Sequence, residues 1–272
     1  MLILAATPIG NLSDASPRLI EHLQRCEFIA AEDTRSLLNL VHALGVRHNA
    51  KLFSLHEHNE SERMGQLVEI AAENDVLVVS DAGMPTVSDP GFQLVRAAVE
   101  AGVEVTIIPG PSAVLSALAV SGLPTDRFTF EGFLTRKGGD RRKAFAALAT
   151  ETRTMVFFES PHRILESLED AASQLGADRR ATVSRELTKK FEHTERGTLA
   201  ELIEWAKTDP KGEMVFVIAG AVKTNKDVSA LVADVLKLEA SGLRMKDAVA
   251  EIAELNAVSK SVLYQLSLDA KK

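Results

Sequence analysis

Two aspartates that could bind a cation, orient a hydroxyl group or remove a proton lie in one stiff loop of this 272-residue chain. Asp81 and Asp89 belong to residues 80–91, a segment that also holds two prolines and two glycines. Four apolar, β-forming residues precede it at 76–79, which predicts a buried strand ending at the carboxyl edge of a sheet. Because ligands of open α/β sheets bind at that edge, the loop is a candidate binding site.

Two other predicted loops also combine proline, glycine and small polar residues directly after an apolar run. Residues 7–11, TPIGN, follow the apolar run LILAA, and residues 109–113, PGPSA, follow VEVTII. Three similar junctions between a strand and a loop predict one composite pocket.

Further candidate carboxylates stand where other strands are expected to end. Glu32 and Asp33 follow FIAA, and Glu159 ends TMVFF. Each could instead cap the helix that comes next. The His-Glu-His run at 56–58 offers two imidazoles but no third ligand, so we expect polar loop residues there and no metal site.

The elements that must position these residues alternate between β and helical patterns over the first 120 or so residues. This alternation predicts a mainly parallel sheet flanked by helices. The predicted strands are 2–6, 27–30, 51–55, 76–79 and 104–108, and the predicted helices are 16–25, 34–43, 60–73, 91–101 and 112–121. Ser16-Pro17 and Asp89-Pro90 are typical of helix starts, with a capping side chain before a first-turn proline.

A cluster of turn-forming residues at 121–126 marks the best domain boundary. Longer β patterns follow at 128–133, 154–159, 181–186 and 214–220, with helices at 140–149, 161–174 and 198–207. We therefore predict an α/β domain at 1–121 and a second α/β domain with a mixed sheet at 122–221.

Residues 222–272 show helical periodicity only, with breaks at 241–242 and 256–259. This pattern predicts three short helices in a helix-turn-helix-like extension. A small bundle that only covers apolar surface fits the pattern equally well.

The composition is that of an ordinary globular protein, with 46% hydrophobic and 25% charged residues and a net charge of −7. The acidic balance does not indicate nucleic-acid binding, but residues 135–143 carry five basic side chains and one aspartate. This basic run is either a solvated helix start or an arm that contacts phosphate. A single cysteine, no long apolar span and no leader pattern favour a cytoplasmic protein without a membrane segment.

Familiar nucleotide and hydrolase motifs are missing from the sequence. There is no P-loop, no glycine-rich dinucleotide fingerprint after the first strand, no nucleophile elbow and no zinc-protease motif. The sequence patterns therefore leave the reaction open.

An ordered set of motifs spans about residues 2–220 and resembles one known family. It includes ATPIGNL (6–12), AAEDTR (30–35), HEHNE (56–60), SDAGMPTVSDPG (80–91), PGPSA (109–113), RKGGDRRK (136–143), FFESPHR (157–163) and RELTK (185–189). The set is similar to the tetrapyrrole methylases, which use S-adenosyl-L-methionine (SAM), and within them to the branch that methylates a ribose 2′-hydroxyl of 16S rRNA. Met84 and Val87 differ from the commoner residues of the loop, but both changes are apolar.

The resemblance implies two α/β domains with SAM in the cleft between them, a small helical extension, and a homodimer. It also implies a substrate, a cytidine in the decoding region of 16S rRNA in the small ribosomal subunit. The positions that match the family's cofactor loops are Pro8, Asp81, Ala82, Gly83, Ser112, Ala113, Phe158, Glu159 and Leu187.

A ribose hydroxyl is a poor nucleophile, so a base or an oriented acceptor should assist the methyl transfer. Asp81 and Glu159 are the first candidates for this role, and Glu32, Asp33 and His56 remain open. Basic side chains could hold phosphate near the target nucleotide. They are Arg35, Arg136, Lys137, Arg141, Arg142, Lys143, Arg163, Arg185 and Lys189.

Two other functions fit the same fold. A small-molecule tetrapyrrole methylase would need neither the basic run nor the helical extension. An rRNA-binding assembly factor without catalytic activity would bind RNA but transfer no methyl group.

Overall fold

The structure is a computed structural model that describes residues 1–56, 60–222, 228–256 and 258–271, with the backbone alone at residues 61 and 62. These residues form two units, Met1–Ala221 and Val222–Lys272. Glu57 and His58 of the His-Glu-His run lie outside the described residues.

A five-stranded parallel sheet forms the first half of the larger unit. Its strands are β1 Leu2–Ala5, β2 Phe28–Ala31, β3 Lys51–Ser54, β4 Val76–Val79 and β5 Val105–Ile108, in the order β3-β2-β4-β1-β5. The helices are α1 Pro17–Arg25, α2 Thr34–Ala43, α3 Glu60–Glu73, α4 Phe92–Glu100 and α5 Ala113–Ser121. The sequence predicted each of these elements to within two residues.

Both faces of this sheet are buried, which explains why its strands are continuous apolar runs and do not alternate. Leu2 and Leu4 pack on one side, whereas Ile3 and Ala5 pack on the other. In the parallel register Leu2 pairs with Val76 on one side and with Val105 on the other. The carboxyl ends of β4, β1 and β5 are therefore neighbours, and the three loops singled out in the sequence start side by side.

The two predicted helix starts have different outcomes. Ser16 caps α1 as expected, since its hydroxyl accepts a 3.1 Å hydrogen bond from the Leu19 amide and Pro17 follows. The prediction that Asp89 caps α4 is wrong, because the N-cap residue is Gly91 in a left-handed conformation (φ 116°). Asp89 is thereby left in the preceding loop.

The second sheet is mixed, as predicted. Its strands are β6 Phe128–Phe133, β7 Thr154–Glu159, β8 Arg180–Arg185, β9 His193–Thr198 and β10 Met214–Ile218, in the order β6-β7-β10-β8-β9. Only the β6–β7 pair is parallel among the described strand pairs of this sheet. The intervening helices are α6 Gly138–Ala147, α7 Ile164–Leu175 and α8 Leu199–Ala206.

The helices α6, α7 and α8 cover one face of the second sheet, around Phe145, Phe157 and Phe216. The helix α5 covers the other face, where Val114 and Leu118 pack with strand residues of β7 and β10. This helix precedes the predicted boundary at residue 122 but packs on the sheet that follows it. The division of Met1–Ala221 at that boundary stays a prediction.

Sequence patterns missed β9, the edge strand that pairs with β8. Its residues, HTERGT, are polar and mostly solvent-facing, and Gly197 alone among them is buried. Edge strands are held by backbone hydrogen bonds on one side, so they need no apolar alternation.

The smaller unit contains the three predicted short helices, α9 Val232–Ala240, α10 Met245–Asn256 and α11 Lys260–Asp269. They share a core that includes Val235, Val249 and Leu263. Ser259 caps α11 through a hydrogen bond from the Val262 amide. No helix within the described ranges combines the length and apolar character that a membrane crossing requires.

Candidate functional site: a cavity between the two sheets

A cavity of about 430 Å³ lies where the carboxyl edge of the first sheet faces the second sheet. Its volume is within the range of small-molecule and cofactor sites. From the first sheet, the loops after β1, β2, β4 and β5 contribute walls, which include Ile9, Glu32, Asp81, Gly83, Asp89 and Ser112. From the second sheet, the wall includes Phe133, Phe158, Glu159, Leu187, Glu213 and Val215.

Backbone hydrogen bonds tie the loops of the first sheet together. The Thr7 amide donates to the Gly83 carbonyl at 2.9 Å, and the Gly83 amide donates back to the Thr7 carbonyl at 3.1 Å. The Thr7 hydroxyl also donates to the Ser80 carbonyl at 3.2 Å. The loops after β1 and β4 are therefore one connected wall.

Gly83 occupies a position that favours glycine because of its backbone conformation. Its φ of 82° is in the left-handed region, where a side chain is strained. A Cβ atom at this position would also lie 3.4 Å from the Ile9 side chain and 3.7 Å from the Pro111 carbonyl. These distances are ordinary van der Waals contacts, so the left-handed backbone conformation is what favours glycine at this position.

The rest of the 80–91 loop is held in an unusual conformation. Thr86 and Ser88 have φ values of 74° and 64°, which cost free energy and persist only where the surroundings impose them. The buried carboxylate of Glu60, 5% exposed, provides such a restraint at the end of the loop. Its Oε1 accepts hydrogen bonds from the amides of Gly91, Gln93 and Leu94 at 2.9–3.2 Å.

Three carboxylates form an acidic corner of the cavity: Glu32, Asp81 and Asp89. The Asp81 amide donates to Glu32 Oε2 at 3.3 Å, and Asp81 Oδ1 accepts from the Asp33 amide at 3.2 Å. Burial raises the pKa of Asp89 to about 6, with a further contribution from the negative charges of Glu32 and Asp81 and an opposing hydrogen bond from Ser80.

The Asp33 carboxylate binds Arg35 and does not belong to the acidic corner. Hydrogen bonds from the Arg35 side chain and backbone lower the pKa of Asp33 to about 2. Its Oδ1 also caps α2 by accepting from the Arg35 amide at 2.8 Å. The structural interpretation of Asp33 as a helix cap is therefore confirmed.

Glu159 reaches the cavity wall, but its carboxylate is fully engaged within the protein. The residue is 3% exposed. The carboxylate accepts hydrogen bonds from the Ser160 amide at 2.8 Å and the Ser167 hydroxyl at 2.6 Å, and pairs with Arg163 at 2.5 Å. These contacts favour a structural role over proton transfer.

The wall opposite the acidic corner is apolar. Phe158 packs edge-on against Phe130, with ring centroids 5.0 Å apart. The ring of Phe133, which is 61% exposed, is tilted against Phe158 with centroids 5.2 Å apart. Leu187 stands between Glu186 and Thr188, which both have positive φ values. Lys189 steadies this turn through ion pairs with Glu186 and Glu213.

The structure brings eight of the nine residues predicted to bind the cofactor to this cavity. They are Asp81, Ala82, Gly83, Ser112, Ala113, Phe158, Glu159 and Leu187. Pro8 does not line it, whereas its neighbour Ile9 does. Sequence analysis predicted the strand β10 but did not identify its start as part of the cavity wall. The apolar run at 214–218 indicates a strand and carries no signal of a ligand.

The predicted RNA-contacting residues divide into accessible and inaccessible groups. The prediction that Arg141 contacts RNA is wrong, because the residue is 2% exposed and its guanidinium is bound to Asp170 at 2.7 Å and Glu166 at 3.1 Å. It fastens α6 to α7 and cannot reach RNA. Arg163 and Lys189 are half-buried and are held in the ion pairs described above.

Other members of the basic set remain accessible. Arg136, Lys137 and Lys143 are exposed on and before α6. Arg142 is exposed but also pairs with Asp170 at 3.0 Å, and exposed Arg35 pairs with Asp33 at 2.7 Å. Arg185, at the end of β8, is half-buried.

The fold and the cavity define a class of protein. The model of the tetrapyrrole (corrin/porphyrin) methylase family matches residues 1–203. The chain belongs to this family, whose methyltransferases use S-adenosyl-L-methionine.

Curated relatives match along the whole length of the chain. The chain is 47% identical to ribosomal RNA small subunit methyltransferase I of Mycobacterium tuberculosis, over 100% of this chain and 95% of the relative. It is 43% identical to the protein of the same name from Escherichia coli O157:H7, over 98% of this chain and 94% of the relative. These similarities confirm the branch of the family that the sequence motifs indicated.

A solved structure supports the fold independently. The crystal structure of diphthine synthase has a TM-score of 0.60 at 17% identity and covers 81% of this chain and 90% of that one. At this identity the likeness concerns the fold alone.

The cavity fits SAM in volume and in chemistry. SAM carries a cationic sulfonium beside an adenosine, and the cavity has an acidic corner facing an apolar, aromatic wall. Gly83 also lines the cavity, in a left-handed conformation that disfavours a side chain. No group of three possible metal ligands occurs among the described residues.

Proposed function

We propose that this protein transfers the methyl group of SAM to the ribose 2′-hydroxyl of a cytidine in the decoding region of 16S rRNA. The observation that carries the proposal is the full-length identity of 47% to a ribosomal RNA small subunit methyltransferase I, combined with an intact cavity of the family's type. The proposed substrate is the rRNA of the small ribosomal subunit.

The residues proposed to hold SAM are those of the loops after β1, β4 and β5 and of the facing apolar wall. Bound SAM supplies a methyl group attached to a positively charged sulfur, which makes the thioether a good leaving group. Asp81 and Glu32 place negative charge beside a cation, and Ser112, next to Ala113 at the start of α5, provides a polar group at the rim. Phe158 and Leu187 exclude water from the reaction centre, which favours an in-line displacement.

The proposed RNA contacts are the accessible members of the basic set. Arg136, Lys137, Arg142 and Lys143 form an exposed basic arm along the first turns of α6. Such side chains bind phosphate without reading sequence. An acidic protein can then bind rRNA because its positive charge is concentrated at one place.

Three further features belong to the proposal. The protein acts as a homodimer, as the resemblance implies, and in the cytoplasm, where small ribosomal subunits are found. The helices α9 to α11 also contact RNA.

The direct test is methyl transfer from tritiated SAM to small ribosomal subunits prepared from cells that lack this protein. We expect label in 16S rRNA, recovered as 2′-O-methylcytidine after complete nuclease digestion. Transfer to a tetrapyrrole in place of RNA would support a small-molecule methylase. RNA binding without any transfer would support an assembly factor, and either result would contradict the proposal.

A further inference from the structure

The loop between β4 and α4 places one carboxyl group at the cavity without using it to cap a helix. Asp89 lines the cavity beside Glu32 and Asp81. Because Gly91 is the N-cap residue and Glu60 binds the first amides of α4, the Asp89 side chain is not needed there. A half-buried carboxyl group that has no such structural task calls for a functional explanation.

The other carboxylates considered for proton transfer each accept a backbone amide or pair with an arginine, whereas the hydrogen bond to Asp89 comes from the Ser80 side chain. Glu159 accepts two hydrogen bonds and an ion pair. Asp33 is bound to Arg35, and the low pKa that results makes it a weak base. Asp81 holds the Asp33 amide, and Glu32 holds the Asp81 amide. His56 is not among the residues that line the cavity.

The loop also restrains the backbone that carries Asp89. Thr86 and Ser88 have positive φ values on the amino side of Asp89, and Pro90 restricts the backbone on its carboxyl side. A catalytic group benefits from such restraint, because a small displacement of a base from the reacting atom lowers the rate strongly.

We propose that Asp89 is the catalytic residue that accepts the proton of the attacking ribose hydroxyl. As the new bond forms between the ribose oxygen and the methyl carbon, the bond from that carbon to sulfur breaks and sulfur retains the electron pair. The hydroxyl proton passes to a carboxylate oxygen of Asp89 and then to solvent. This inference rests on the proposed ribose methylation.

The electrostatic surroundings of Asp89 support this role. Charged groups face it from the ends of β2 and β4, where Glu32 and Asp81 lie, and Glu159 and Glu213 line the same cavity from the second sheet. A carboxyl group with a pKa of about 6 is ionised at neutral pH and is a stronger base than an ordinary aspartate. Since the ionised form is required, kcat/KM, which reports groups of the free protein, should fall as the pH is lowered through about 6.

The test is Asp89→Asn, which keeps the shape of the side chain but cannot accept the proton. We expect kcat for small subunits to fall at least about a hundredfold, while the dissociation constant for SAM, measured by calorimetry, changes by less than about threefold. The matched control is Asp178→Asn. Asp178 is exposed and precedes β8, whereas the cavity residue Leu187 follows the opposite end of that strand. This control variant should behave as wild type.

A second measurement does not depend on activity. In the free wild-type protein with isotope-labelled aspartate, the carboxyl signal that is lost in Asp89→Asn should titrate near pH 6 in NMR spectra. A midpoint near the ordinary value of 3.8 would overturn the assignment. So would an Asp89→Asn protein with wild-type kcat, or one that has lost SAM binding, since the latter places Asp89 in cofactor binding.

Failure of this inference is distinguishable from failure of the proposed function. If wild type transfers no methyl group to small subunits, the proposed function is wrong. If wild type transfers it and Asp89→Asn does so equally well, the function stands and another group accepts the proton.

Discussion

At the scale of single residues, the sequence showed which loops matter but not how each side chain is used. Asp81 and Glu159 look equivalent in sequence, since each ends an apolar run. Burial separates them, because the Glu159 carboxylate is enclosed by Ser160, Ser167 and Arg163. Those partners depend on how β7 meets α7, which residue types alone do not reveal.

Gly83→Val should abolish SAM binding without unfolding the protein. The new side chain would strain a left-handed backbone, and its methyl groups would extend from a Cβ position already in contact with Ile9 and the Pro111 carbonyl at the cavity wall. Calorimetric titration with SAM and a thermal melt measure the two effects separately.

Gly102→Val is the matched control for this prediction. Gly102 has a similar φ of 71° and no atom within 4 Å of its Cβ position, and it precedes β5 at the end of the sheet away from the cavity. The Gly102→Val protein should have a similar backbone strain but bind SAM with the affinity of wild type. Equal SAM affinity in Gly83→Val and wild type would contradict the placement of the cofactor.

At the scale of elements, periodicity predicted the strands and helices that bury apolar side chains. It missed β9, which is polar, and the residue types misidentified the cap of α4, because Asp89 resembled a helix cap. In both places the stabilising contact comes from another element, which is the preceding strand in one case and the start of α3 in the other. β8 supplies the backbone partners of β9, and Glu60 supplies the cap of α4 from the start of α3.

Glu60→Ala should destabilise the protein by about 1–2 kcal/mol, since three amides at the start of α4 lose their acceptor. It should also weaken SAM binding severalfold, because the end of the 80–91 loop is released. Glu60→Gln keeps the acceptor oxygen and should restore most of both properties. Chemical denaturation and SAM titration provide the measurements.

Glu100→Ala is the control at the other end of α4, where the carboxylate makes only an exposed ion pair with Arg96. Its stability should stay within about 0.5 kcal/mol of wild type. If Glu60→Ala behaves like Glu100→Ala, Glu60 does not position the loop.

At the scale of the whole molecule, the sequence motifs indicated the family and hence the two facing sheets. The sequence could not show that Arg141 is buried, because an arginine within a basic run looks like its exposed neighbours. The bond from Arg141 to Asp170 instead fastens α6 and presents the neighbouring basic side chains to solvent. A buried ionic anchor thus supports an exposed basic arm.

Changing Arg136, Lys137 and Lys143 together to Gln should weaken binding to small ribosomal subunits at least about tenfold and reduce its salt dependence. SAM affinity should not change, since none of the three lines the cavity. Filter binding over a range of salt concentrations measures both effects.

The matched control changes Arg25, Arg47 and Lys51 to Gln, at the end of the first sheet opposite the cavity. It alters the net charge by the same amount and should leave subunit binding nearly unchanged. Equal weakening by the two triple variants would indicate a general charge effect and contradict an RNA-binding arm.

The most direct test of the central claim is a map of ribose methylation in 16S rRNA from cells with and without this protein. We predict that one 2′-O-methylcytidine in the decoding region disappears when the protein is absent and returns with the wild-type gene, but not with the Gly83→Val variant. Identical maps from the two cell types would contradict the claim that this protein methylates that ribose.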